Sequence, residues 1–337
     1  MNHSTRSTRV ATCILTSVVM ALAVLPYLVA PSGYFRLTDL CIYILLATMW
    51  NLLAGYAGMV SVGQQAYIGI GAYALVWLCD HVGLSLLFAV PVAVLLAGAV
   101  AFPVSFLVFR LTGGYFAIGT WVVAEVIRLL TVQSDTLGAG SGMSLQGLSG
   151  TDSDLRIALV YWSALVTCVV SVVIVFLLVR SRFGLALRAV RDEPTAAMSN
   201  GVSVARVKRV VFVVTAAGCG AGGALVAMST LRVQPDSAYG VQWTAFMLFM
   251  VVVGGVGTLE GPILGAIIFF VFQEWLSSFG SLYLVFLGAL AIAVTLFAPR
   301  GLWGLLTRGR FPLFSVSSRA VVPTRRKVQA LSEDGRA

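Results

Sequence analysis

The sequence predicts an all-α, polytopic membrane protein of about ten transmembrane helices with both termini cytoplasmic. Three observations carry that prediction. The mean hydropathy is +0.97 over 337 residues, far outside the range of a soluble domain. Apolar runs recur at about the 20 residues that a helix needs to cross the hydrocarbon layer. Charge gathers at the ends of those runs, and nothing resembles the short alternating strands of a barrel.

The spans read as 10–30, 39–55, 64–80, 84–109, 112–131, 157–179, 210–231, 242–260, 262–279 and 282–298. The first follows Arg6 and Arg9 and could be taken for a secretory signal. Its apolar stretch exceeds a signal core, and Pro31 directly follows the only suitable cleavage alanine, Ala30, which favours an uncleaved span. Seventeen of the 22 lysines and arginines lie in three places. They are Arg6 and Arg9, Arg180 with six more up to 209, and eight after Pro299. Threading ten spans from a cytoplasmic N-terminus puts all three on one side, and nine or eleven would not. Residues 1–9 and the basic tail 299–337 then lie inside with the 180–209 segment, while loop 132–156 lies outside. So distributed, the net charge of +9 reads as a topology signal, and no nucleic-acid partner is implied.

Several chemistries are excluded. The five cysteines lie in or beside apolar runs without a CxxC pair, and neither His3 nor His81 is central in a run. No disulfide framework, metal site or histidine-based triad follows. The outer "GAGSGMS" lacks the lysine of a phosphate loop, and its serines have no base in a span to activate them. The chain reads as a non-enzyme without a cofactor.

Glycine is the main internal punctuation, in 55–74, 216–224 and 254–266. Small residues at such spacing let helix backbones approach closely in lipid. Two glycine-interrupted spans, one in each half, also fit a transport fold with discontinuous helices. Polar Ser61, Gln64 and Gln65 sit in the first of them. Intramembrane charge is costly and faces protein or water. Glu125 and Arg128, three apart, share a helix face and can pair; Glu260 precedes a Gly-Pro break, and Glu274 nears the outer end of its span. Candidates for lining a translocation path are Ser61, Gln64, Gln65, Tyr115, Glu125 and Arg128.

The stretch "RFGLALRAVRDEPTAAMSNGVSVARVKR" (182–209) is a charged island in an apolar chain. Residues 183–190 can form one short amphipathic helix. Asp192 and Glu193 precede Pro194, which suits the first position of a second. Asn200 and Gly201 supply a C-terminal cap, and Ser203 is expected to cap the next span. A DNA-reading helix-turn-helix fails because its second helix would run into the membrane. What remains is a docking element for a cytoplasmic partner.

The segment resembles the coupling loop of ABC importer permeases, an Ala-Ala pair followed by a Gly, here Ala196, Ala197 and Gly201. "NLLAGYAGMVSVGQQAYIGIGAYA", "LTGGYFAIGTWVVAEVIRLL", "SRFGLALRAVRDEP", "VVVGGVGTLEGPILGA" and "FAPRGLWGLL" are similar to motifs of the branched-chain amino acid permease family, LivM-type, across roughly 38–306. The resemblance implies ABC importer permease architecture in the plasma (inner) membrane. It further implies a second homologous permease subunit, two cytoplasmic ABC ATPase subunits that bind the ATP, and an external substrate-binding protein. Arg191, Asp192, Glu193, Pro194, Ala196, Ala197 and Gly201 would form the ATPase-coupling loop. The chain has no Walker A motif, which agrees. Branched-chain or other hydrophobic amino acids are the implied cargo, with urea or a short amide as the alternative. An ion-coupled secondary transporter using Glu125, Arg128 and Glu260, and a passive channel, are the rival readings.

Overall fold

The computed structural model describes residues 31–146, 152–276, 282–298 and 301–307. The first predicted span, the N-terminal nine residues and nearly all of the basic tail lie outside the described residues.

The long apolar runs form helices. Helix α1 (Pro31–Asn51) passes into one π-helical turn, Leu52–Tyr56, and an irregular stretch leads to α2 (Gln65–Asp80). Then come α3 (Leu86–Val108), α4 (Gly114–Gln133) and α5 (Ser153–Arg180). Two short helices, α6 (Arg182–Asp192) and α7 (Pro194–Ser199), precede α8 (Val204–Thr230). The chain continues through α9 (Pro235–Ala238), α10 (Gln242–Gly254), α11 (Glu260–Leu276), α12 (Leu282–Phe297) and α13 (Gly301–Thr307). A two-residue antiparallel pair, β1 (Met143–Ser144) with β2 (Arg232–Val233), sets Met143 opposite Val233.

Among the described residues, seven helical stretches are long and apolar enough to cross a membrane: Gly33–Tyr56, Leu86–Val108, Gly114–Gln133, Ser153–Arg180, Val204–Thr230, Pro235–Gly254 and Leu284–Leu306. Helices also occupy the predicted range 64–80 and the described part, 262–276, of the range 262–279; α2 has 16 residues and the described α11 has 17. Helix α2 is slightly shorter than the roughly 17–25 residues of a full crossing. A non-helical break precedes each, 57–64 before α2 and 255–259 before α11.

Helices α1, α2 and α8 form the centre, with α3 and α5 packed outside them and α10 and α11 against α1. The crossing of α2 with α8 depends on absent side chains. A Cβ on Gly71 would overlap the Gly220 carbonyl, and one on Gly223 would overlap that of Ile68. By contrast α3 and α4 leave much of their apolar surface uncovered, including Leu87, Phe102, Trp121 and Leu130. Lipid tails satisfy such surface, so it needs no protein cover. Pro91 and Pro103 remain inside α3.

One local expectation is corrected. Ser203 occupies the N-cap position of α8, but its side chain makes no capping bond. The capping serine is Ser181, whose Oγ accepts from the N–H groups of Phe183 (3.2 Å) and Gly184 (3.4 Å). The chain turns sharply from α5 into α6 there, so two orphan amide groups face back onto the hydroxyl.

Candidate functional site

The charged island folds as two short helices. Helix α6 buries Gly184, Leu187 and Val190, spaced three apart, exposes Leu185 and Ala189, and leaves Ala186 and Arg188 half-buried. Gly184 is needed for close approach, since a Cβ there would overlap the Val179 carbonyl. Glu193 is extended and accepts from Thr195 Oγ1 at 2.8 Å, and Pro194 opens α7 at its first position. Asn200 Nδ2 donates to the Ala196 carbonyl at 2.8 Å, and Gly201 takes φ +78° to send the chain toward α8. Ala197 is 3% exposed and faces the chain's own core, while Ala196 and Met198 face outward. The outer face of α7 is therefore Thr195, Ala196, Met198 and Ser199.

Arg191 turns inward from the end of α6. Its Nη1 donates to the Gly55 carbonyl in the π turn at 2.9 Å, and its Nε and Nη2 reach Asp192 Oδ1, each at 3.0 Å. Asn51, at the last position of α1, reaches across to the second break. Its Nδ2 donates to the Thr258 carbonyl at 2.7 Å, and its Oδ1 accepts from the Gly257 N–H at 2.8 Å. The charged island and both helix breaks thus lie at one end of the bundle, joined by side chains. The sequence reading did not single out Asn51. Its one signal was an amide at the end of an apolar run beside the glycines of 55–63.

The six path candidates do not converge. Ser61 and Gln64 in the first break, and Gln65 at the first position of α2, are buried. Ser61 Oγ accepts from the Gly63 N–H at 3.2 Å, the Ser61 carbonyl accepts from Trp50 Nε1 at 3.1 Å, and Gln65 Oε1 accepts from Thr244 Oγ1 on α10. Tyr115 is 75% exposed at the start of α4. Glu125 and Arg128 do pair, Nη2 to Oε1 at 2.6 Å, and Arg128 Nη1 also binds Asp236 on α9 at 2.7 Å. Asp236 is a partner that only the fold reveals, 108 residues away in sequence. Glu274 pairs with Arg36 at 2.7 Å.

A cavity of about 440 Å³ opens beside the first break, lined by Gly58, Val60, Phe109, Thr112, Ala117 and Lys208 among others. No group of His, Cys, Asp and Glu able to hold a metal occurs among the described residues.

A family described as "Branched-chain amino acid transport system / permease component" matches residues 34–295. Over 304 residues the chain is 30% identical to the "High-affinity branched-chain amino acid transport system permease protein LivM" of Escherichia coli (strain K12), covering 82% of this chain and 71% of that protein. The Salmonella typhimurium protein of the same name is 30% identical over 314 residues, covering 84% and 74%. No solved structure matches.

Proposed function

Because this chain belongs to the branched-chain amino acid transport system permease family, we propose that it is the membrane-spanning subunit of an ATP-driven importer of branched-chain or other hydrophobic amino acids. It works in the inner membrane with ten spans and both termini cytoplasmic. Residues 1–9, 180–209 and 299–337 lie inside and 132–156 outside. A second homologous permease, two ATPases that bind the ATP, and an external binding protein complete the assembly. Arg191, Asp192, Glu193, Pro194, Ala196, Ala197 and Gly201 belong to the ATPase-coupling loop, with Ala196 in the face that meets an ATPase, and Ser61, Gln64, Gln65, Tyr115, Glu125 and Arg128 are the candidates for the translocation path.

The single observation that carries this reading is the arrangement at one end of the bundle. A capped pair of short helices presents an uncharged face, Ala196 with Met198 and Ser199, and is tied through Arg191 to the π turn before the first break, while Asn51 at the end of α1 ties to the second. Such a face suits a cleft on a partner, and broken helices are where transport folds rearrange. Arg128, shared between Glu125 and Asp236, supports a polar surface facing protein or water, because a lipid-facing charge costs about 2.5–3.5 kcal/mol.

The test is reconstitution of the chain with its permease partner, ATPases and binding protein in vesicles. Labelled leucine, isoleucine and valine should accumulate only with ATP inside the ATPase compartment, and dissipating proton and sodium gradients should leave uptake intact. Accumulation driven by an ion gradient without ATP would establish the secondary transporter instead. Uptake of urea or a short amide in preference to leucine would reassign the cargo within the same mechanism.

A further inference from the structure

Asn51 is 1% exposed, and both polar atoms of its side-chain amide are engaged on one turn, at Gly257 and Thr258. The end of α1 and the second break are therefore held by two antiparallel hydrogen bonds, a planar match that resists sliding. Four residues on, the π turn offers the Gly55 carbonyl to Arg191 at 2.9 Å. Carbonyls near a helix end lack intrahelical donors and accept from outside. Space there is minimal, since a Cβ on Gly55 would overlap both the Asn51 amide oxygen and the Gly257 backbone. Gly257 itself holds φ +76°. One cation on α6 and one amide on α1 thereby connect α6, the π turn that leads into the first break, and the second break in series.

We propose that Arg191 and Asn51 form the linkage through which movement of the docking element reaches both helix breaks, with Arg191 as its positioning residue. The proposal rests on the reading of this chain as the permease of an ATP-driven importer. Leu187 and Val190 also hold α6 to the bundle, but apolar contacts are non-directional and can slip. A charge-assisted hydrogen bond to a backbone carbonyl transmits displacement along a defined line. The guanidinium also holds Asp192, so it is kept aimed at Gly55 instead of swinging into water. Pulled away from the break, α6 draws the π turn with it, and Asn51 carries the 255–258 turn along.

The experiment uses the whole reconstituted importer carrying wild-type, Arg191→Lys or Arg191→Ala chain. A reporter, Val256→Cys, is placed in the second break, where Val256 is 53% exposed, in a background with the five native cysteines replaced. In the wild type, the rate of thiol labelling at 256 should differ between nucleotide-free and vanadate-trapped states. Arg191→Ala should still co-purify with the ATPases, because the outer face of α7 is untouched. It should lose at least about tenfold in molecules imported per ATP hydrolysed, roughly 1.4 kcal/mol of coupling. The nucleotide dependence of labelling at 256 should disappear. Arg191→Lys should recover part of both, since an ammonium can reach one acceptor but not match the forked geometry.

Import per ATP within twofold of wild type in Arg191→Ala overturns the linkage. So does lost import with nucleotide-dependent labelling intact. Loss of ATPase co-purification in Arg191→Ala also overturns it, by placing Arg191 in the docking face. A wild-type complex without ATP-driven uptake sinks the functional reading itself, and the linkage with it.

Discussion

Ala196 and Ala197 are neighbours of identical chemistry, yet one faces solvent and the other is 3% exposed against the bundle. Bulk at the two positions should therefore fail differently. Ala197→Trp overpacks the core and should lower the melting temperature of the purified chain, by the equivalent of about 1–3 kcal/mol. Ala196→Trp should leave melting unchanged and abolish ATPase co-purification. Equal melting losses for both would remove the assignment of faces. Asn51→Ala strands the Gly257 N–H and the Thr258 carbonyl in a buried site, a loss of about 1–3 kcal/mol. Thermal unfolding in detergent checks it, and an unshifted transition would show that the second break holds without the amide. Arg128 serves two carboxylates, so Arg128→Gln leaves both Glu125 and Asp236 without this cation. We predict that adding Glu125→Gln to Arg128→Gln restores part of what the single change loses. Strict additivity in a double-mutant cycle on uptake would dissolve the cluster.

At the scale of elements, the pair of short helices was legible because its signals are local. Helix α6 extends from 182 to 192 against the expected 183–190, and α7 begins at Pro194. Amphipathic spacing, a proline at a helix start and a glycine at its end act within a few residues of themselves. That Ser181 caps α6 while Ser203 leaves α8 without a side-chain cap was not legible, because it depends on which amide groups each turn leaves facing the hydroxyl. Nor was the aim of α7, since a six-residue helix of small side chains has no strong apolar stripe to orient it. The glycine-rich spans gave their role in outline. The sequence suggested close packing, and the fold identifies the partners, Gly71 on Gly220 and Gly223 on Ile68. Gly71→Leu should separate α2 from α8 and eliminate folded protein, whereas Gly288→Leu, where a Cβ meets nothing, should be tolerated. Monodispersity by size exclusion reads the contrast, and comparable loss at both positions would refute it.

For the molecule as a whole, the prediction is one of sidedness. Cysteine at Ser141, exposed in the loop after α4, should react with an impermeant thiol reagent in intact cells. Cysteine at Ala196 should react only after permeabilisation. Labelling of position 196 from outside would reverse the threading and take the docking role with it.

What the sequence determined by itself was the solvent and the general plan. A helix in lipid must satisfy its backbone within itself and turn an apolar surface outward, so spans and their charged ends are written in composition along the chain. The family, too, was readable from its motifs. Only the tertiary structure decided which polar groups meet. It showed that Ser61 binds within the first break and Gln65 binds Thr244 from the start of α2, that Arg128 has a second carboxylate at Asp236, and that Asn51 clasps a turn 206 residues away. The reason is that lipid supplies no alternative partner for a buried amide or guanidinium. Each must find its acceptor or donor across the bundle, and that choice depends on which helices cross, which no local stretch of the chain encodes.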